Sequence, residues 1–202
     1  MEEQQLFWYA LKVFYNKVFE FEDLLQGMGY ETYLPVEMVR LKGEDHLRAA
    51  RRLSTPDSHR SDTQFVQAGP AIFRRKPVVS SLIFVHAPAS AMPAVRHEIE
   101  GRGFIYMTAD WKQPAVIPDK QMGMFRMVAS SGADGLQFFS DDDITRYRQG
   151  ARVRVTEGPL KGAEGYIKRI KKDRRLLVAI EGFVAVAVSF IPPQFLEIIT
   201  ES

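Results

Sequence analysis

The stretch "VRVTEGPLKGAEGYIKRI", residues 153–170, constrains this chain more than any other. Val153 and Val155 alternate with charged residues, so the run enters as a half-buried strand. Glycines follow at Gly158, Gly162 and Gly165. A nucleotide-binding P-loop needs Gly-x-x-x-x-Gly-Lys-Ser/Thr between a strand and a helix. Here no Lys-Ser/Thr follows Gly162, and the next segment is extended. A dinucleotide fingerprint fails on spacing and on the missing helix. The glycines are therefore geometric. Gly158 before Pro159 turns the chain, Gly162 permits a positive φ, and Gly165 allows close backbone approach as a second strand begins. Apolar parity does not carry from Ile167 to Ile170, which predicts a bulge or strand end between them. Further along, Leu176, Val178 and Ile180 share a parity, as do Val184, Val186 and Val188, and "FLEII" follows Pro192 and Pro193. Short strands with turn signals predict a small β-barrel over residues 150–202, marginally stable alone because so little surface is buried.

The upstream part has a different rhythm. "FWYALKV" (residues 7–13) reads as a strand, and Val18, Phe21, Leu25 and Met28 mark a helix over 17–28 with Asn16 as its cap. "YETYLP" and "VEMVRL" are extended. Residues 43–70 are polar and rich in breakers, a long excursion with one short helix around 45–53; loops of this length are usually functional or disordered. Residues 82–85 read as a buried strand. Met92, Val95 and Ile99 mark a second helix, with Ser90 as cap and Pro93 in its first turn. "GFIYMTA" is a further strand, and "IPDKQMGMFRMVA" starts a third helix with Asp119 as cap. The order strand–helix–strands–helix–strand predicts an α+β, ferredoxin-like split βαβ over residues 1–130. Residues 131–149 read as a linker, in which Ser140 opens a short helix whose acidic start suits the helix dipole.

Composition narrows the chemistry. The 202 residues include no cysteine, which excludes disulfides and cysteine-based zinc sites. The four histidines show no ligand spacing, and Ser80 and Ser81 lack a nucleophile-elbow frame. No enzyme chemistry, cofactor or metal is expected. The amino terminus lacks a basic n-region. The longest apolar run, "LLVAIEGFVAVAVSFI", is broken by Glu181 and Gly182, short of the ~18 residues a membrane span needs. The expectation is a cytoplasmic monomer. Net charge is +2, but from Gly150 onward nine Lys/Arg face six Asp/Glu, a mild hint of an anionic partner.

The valine-rich strand, the Gly-x-x-x-Gly-x-x-Gly run and Ile167 two positions on resemble the KOW motif of ribosomal proteins and transcription elongation factors. Together with "FWYALKV", "RRKPVVSSLIFV" and "IPDKQM", the chain resembles the NusG family over nearly its whole length, and within it the specialised RfaH-like and UpxY-type antiterminators. Housekeeping members carry Pro-Gly-Tyr where Ser80, Ser81 and Leu82 stand here.

The resemblance implies a factor that binds the clamp helices of RNA polymerase through an apolar pocket, holds the enzyme closed and suppresses pausing or termination, in polysaccharide-type operons for the UpxY type. Carried over by position, Val79, Leu82 and Phe84 match the pocket's strand, with Ile117 and Met122 near the third helix. Lys42, Arg48, Arg51, Arg52, Arg74 and Arg75 fall where DNA or nascent RNA would pass. Leu160 and Ala163 match the barrel turn that meets a ribosomal protein or a termination factor. RfaH-like members can also refold the barrel as a helical hairpin. The alternative is a ribosome- or RNA-associated KOW protein that does not bind polymerase.

Overall fold

A computed structural model of the chain describes residues 5–54, 64–132, 136–140, 150–170, 173–180, 182–188 and 191–199. The protein is mixed α+β. Its internal contacts divide it into two units, Met1–Ala115 and Val116–Ser202.

The first unit runs β1 (Leu6–Val13), α1 (Val18–Gly27), β2 (Glu31–Tyr33), β3 (Val36–Arg40), α2 (Gly43–Leu53), β4 (Phe65–Ala68), β5 (Ala71–Pro77), β6 (Leu82–Pro88), α3 (Met92–Ile99) and β7 (Gly103–Ile105). Its main sheet has the order β2-β6-β1-β7, antiparallel throughout. Directly opposed residues share a face. Tyr9, Leu11 and Val13 of β1 and Ile83, Val85 and Ala87 of β6 join Val18, Phe21 and Leu25 of α1 and Met92, Val95 and Ile99 of α3 in one core. Trp8, Ala10, Leu82 and Phe84 point to the other face and are also buried. Both faces of these strands are thus removed from water, which is why they read as continuous apolar runs rather than alternating ones.

A second sheet, β3-β5-β4, carries α2 against β5. The helix expected within the 43–70 excursion is α2. The excursion also holds β4, which was not anticipated and which pairs with β5, setting Phe65 opposite Arg74. Residues 55–63 of it lie outside the described residues. The expected caps do not form. Asn16 follows Tyr15 in a left-handed turn, at φ 56° and 59°, and Lys17 takes the cap position of α1 without a side-chain bond. Ser90 lies in a 3-10 turn, Ala89–Ala91, that runs directly into α3.

The second unit runs β8 (Val116–Ile117), α4 (Asp119–Ala129), β9 (Gln137–Ser140), β10 (Arg152–Val155), β11 (Glu164–Ile170), β12 (Asp173–Ile180), β13 (Val184–Val188) and β14 (Leu196–Ile198). Strand order is β14-β10-β11-β12-β13-β9, antiparallel. Leu176, Val178 and Ile180 oppose Val188, Val186 and Val184 on one face. Ile170, Leu177, Ala185 and Ala187 cluster on the other, with Phe139 and Ala179 against them. Every residue of β13 is therefore buried. Apolar residues on both faces also explain why the expected bulge is absent. β11 keeps register with β12 from Tyr166 to Ile170, with Ile167 and Ile170 facing opposite ways.

At the turn, Gly162 has φ 90° and its N–H donates to the Val155 carbonyl over 2.8 Å. Gly165 lies opposite Val153, and its α-carbon passes close over the Leu177 backbone carbonyl. α4 packs on β12 and β13, burying Met122, Phe125 and Val128, with Phe125 edge-on to Phe138 at 6.4 Å. Pro118, not Asp119, holds its cap position. Because α4 packs on these strands, the division by contacts falls ahead of the 131–149 segment expected as a linker. That segment contributes β9, paired to β13. The helix expected after Ser140 lies outside the described residues. Among the described residues no helix is long and apolar enough to cross a membrane.

Candidate functional site

Three residues expected to grip a helix tip stand together in the first unit. Val79, half-buried, lies in the turn before β6, where its carbonyl accepts the Leu82 N–H over 3.4 Å. Leu82 and Phe84 follow on β6, on the face opposite α1 and α3. Lys12 and Ala10 are their partners across the strand pair, and the Phe84 ring lies 6.3 Å from that of Tyr33. Leu82 is 2% exposed and Phe84 fully buried. Ile117 and Met122 belong to the second unit, on β8 and α4, and are as buried as its core. Only Val79 offers surface as the protein stands.

The basic residues divide by their partners. Lys42 precedes α2, and Arg48, Arg51 and Arg52 share one of its faces, all four exposed. Arg48 donates to Glu44 over 3.3 Å, one turn back. The Arg52 guanidinium lies 5.7 Å from the centre of the Phe65 ring. Phe65 also stands opposite exposed Arg74 in the β4–β5 register, so the aromatic residue has a basic residue on the neighbouring helix and another on the neighbouring strand. Phe65 escaped the sequence reading, because a lone aromatic in a polar excursion carries no periodic signal. Cationic groups interleaved with an aromatic suit a nucleic-acid strand, in which phosphates and bases alternate.

Arg75 differs in its surroundings. Its guanidinium makes a bidentate pair with Glu22 of α1, 2.8 Å on each arm, and lies 5.1 Å from the centre of the Phe19 ring. The pair ties β5 to α1. It also leaves Asp23 in a partly dry setting. Burial raises that carboxyl above its usual range, the neighbouring Glu22 charge adds to the rise, and Arg75 opposes it. With both arms on Glu22, Arg75 has a structural pairing. Arg75→Ala is expected to cost about 2–3 kcal/mol, since Glu22 would be left buried and unpaired. Arg51→Ala should change stability by less than about 0.5 kcal/mol. Thermal denaturation of the two variants, followed by circular dichroism, checks this contrast.

In the second unit Ala163 is completely buried, its carbonyl accepting the Val155 N–H over 2.9 Å, and offers no side-chain surface as the protein stands. Leu160, 7% exposed, reaches the wall of a cleft of about 280 Å³ with Val155, Val188, Ile191, Pro192 and Phe195. This cleft is the accessible apolar feature beside the turn. Elsewhere His86 stacks on Trp8 at 4.7 Å and reaches Glu31 over 3.3 Å, and His46 reaches the Pro70 carbonyl. Among the described residues no three His, Cys, Asp or Glu side chains converge as a metal site would require.

No family model matches the chain. No curated protein matches it either. Among solved structures, one described as "Domain interaction in Thermotoga maritima NusG" aligns over 97% of this chain and 98% of its own, at 15% identity and a TM-score of 0.44, a likeness too slight to argue from.

Proposed function

We propose that the chain is a NusG-like transcription elongation regulator of the antiterminating kind. Its first unit would hold the clamp helices of RNA polymerase, its α2 hairpin would lie along displaced DNA or nascent RNA, and its second unit would be a KOW barrel that recruits a ribosomal protein or a termination factor. The observation that carries this reading is strand order. β1-α1-β2 and β6-α3-β7 interleave as β2-β6-β1-β7, an order that supports a split βαβ, ferredoxin-like reading. The same chain then supplies an antiparallel β14-β10-β11-β12-β13 array with glycines at the turn the KOW pattern requires. Such a protein works without covalent chemistry. It binds the closed, productive polymerase better than the paused one and shifts the population accordingly. A cytoplasmic monomer acting in polysaccharide-type operons fits this reading.

Leu82 and Phe84 are buried as the protein stands, so a substitution there would disturb packing as well as docking. Val79, half-buried in a turn, is the usable probe. Val79→Asp is expected to weaken capture of purified RNA polymerase by the full chain at least tenfold, with an unchanged circular dichroism spectrum. It should also abolish readthrough of a terminator in transcription assays in vitro. Undiminished capture by the variant would remove this face from the reading. Failure of the wild-type chain to bind polymerase at all would leave the RNA- or ribosome-associated alternative, for which the Leu160 cleft would be the partner surface.

A further inference from the structure

The first unit carries a second feature that the proposed function does not use. A groove of about 570 Å³ runs between α3 and the edge strand β7, lined among others by Arg96, His97, Glu100, Phe104, Met107 and Trp111. Trp111 stands at the tip of the loop after β7 and is 76% exposed. A large apolar ring left so open forfeits most of the stabilisation its burial would bring. Its backbone is left-handed, φ 59°, a conformation that is an outlier for a bulky side chain. The loop nonetheless fixes it there. The Thr108 N–H donates to the Gln113 carbonyl over 2.8 Å, the Trp111 N–H to the Thr108 carbonyl over 2.9 Å, and the Thr108 hydroxyl to Asp110 over 2.6 Å.

The groove's cationic side is equally uncommitted. Among the described residues Arg96 has no carboxylate partner, and its one side-chain contact is the Met107 sulfur at 3.2 Å. The rings of His97 and Trp111 have no hydrogen-bond or stacking partner there. An idle indole, a half-exposed Phe104 and an arginine without a counter-ion face one concavity. A flat ring with an attached anion satisfies all of them. A single strand offers that pairing at every nucleotide, whereas a duplex keeps its rings stacked inside.

We propose that this groove takes one unstacked nucleotide of a single-stranded nucleic acid, the base on Trp111 and the adjoining phosphate on Arg96. Glu100, not paired with Arg96 but lining the same groove, opposes further anionic charge, so stacking dominates and no more than one phosphate is engaged. The site lies on α3, β7 and the following loop, apart from the α2 surface, and does not depend on polymerase binding.

The chain has two tryptophans, Trp8 and Trp111. Trp8 is buried, so quenching of exposed indole fluorescence reports on Trp111. Titration of the full chain with twelve-residue oligo(dT) and oligo(U) should quench that emission. A duplex of the same length should not, and the corresponding mononucleotides should do so only at far higher concentration. Trp111→Ala, which removes the reporting indole and is therefore followed by fluorescence anisotropy of an end-labelled oligo(dT), should raise Kd about tenfold. Arg96→Ala should lower the slope of log K against log salt by about one. The double variant Arg51→Ala/Arg52→Ala should weaken overall binding while leaving the quench at saturation intact, which separates this groove from the α2 surface. Absence of quenching by either oligonucleotide would overturn the proposal. So would equal quenching by duplex, mononucleotides that bind as well as the strands, or Trp111→Ala with unchanged Kd.

Discussion

Glu164→Ala is expected to destabilise the second unit by about 2–3 kcal/mol. Glu164 is buried on β11, its side chain 6% exposed, and three cations converge on it. Lys120 of α4 donates to its two oxygens over 3.0 and 3.1 Å, Arg154 donates through Nε and Nη2 over 3.1 and 2.9 Å, and Arg152 stands at 3.5 Å. Its own N–H meets the Met124 sulfur at 3.3 Å. One carboxylate thus joins α4, β10 and β11. Removing it leaves three positive charges crowded together and breaks the ion pair between α4 and β11. The cations are 38–67% exposed, so water screens part of the loss, and the estimate is set below that of a fully buried pair.

The same contacts fix a pH dependence. Hydrogen bonds from Lys120 and then Arg154 hold the Glu164 carboxyl below its usual range, against the opposing effect of burial. A carboxyl whose folded pKa is depressed stabilises fully above its unfolded pKa. That contribution fades as pH falls through the depressed value. The wild-type chain should therefore lose stability through the acid range more steeply than Glu164→Gln, and the two melting curves should converge in acid. Thermal melts of the full chain from neutral pH into acid test this; parallel curves would mean the carboxylate is idle.

How much of this was legible in the sequence varied by residue. The buried strands were legible because their apolar runs are long. "LIFV" admits few alternatives, and the shared parity of Leu176, Val178 and Ile180 was enough to place one face of β12. α4 was legible from the spacing of Met122 and Phe125, but not its place. Helical spacing shows that a helix has an apolar face and not which strands cover it. β4 and β9 went unseen because each is short, and each is a strand only through the neighbour that pairs with it, Arg74 in one case and Val186 in the other. The caps failed for a related reason. Asn16, Ser90 and Asp119 have the right chemistry, but the turns preceding their helices place other residues at the cap. Arg75 read as one more surface cation because its partner, Glu22, lies 53 residues away. Lys120 and Glu164 are 44 apart. No local pattern announces such pairs, so candidate charges could be named from sequence but not sorted into committed and free.

The glycine run gives the sharpest prediction, because its members play different parts. Gly165→Ala is expected to cost at least about 3 kcal/mol, and the sheet of the second unit should not survive it at ordinary temperature. A β-carbon there would drive into the Leu177 carbonyl oxygen and stand 3.0 Å from its carbon and 3.1 Å from the Leu176 Cδ1. The obstacle is backbone of the next strand, held in place by the Tyr166–Leu177 pairing, so neither a rotamer change nor a small shift relieves it. β11 would have to leave β12, breaking the register that buries Leu176 and Leu177. Gly162→Ala meets no atom within 4 Å and fails only through its φ of 90°, a cost of about 1–2 kcal/mol. Gly162→Asn should recover part of that, since asparagine tolerates the left-handed region better than alanine. No substitution should rescue position 165. Denaturant unfolding of the three variants at fixed pH would order them Gly162→Asn, Gly162→Ala, Gly165→Ala from mildest to worst. A Gly165→Ala protein as stable as Gly162→Ala would mean that β11 does not approach β12 as closely as described, and the geometric reading of the glycine run would fall with it.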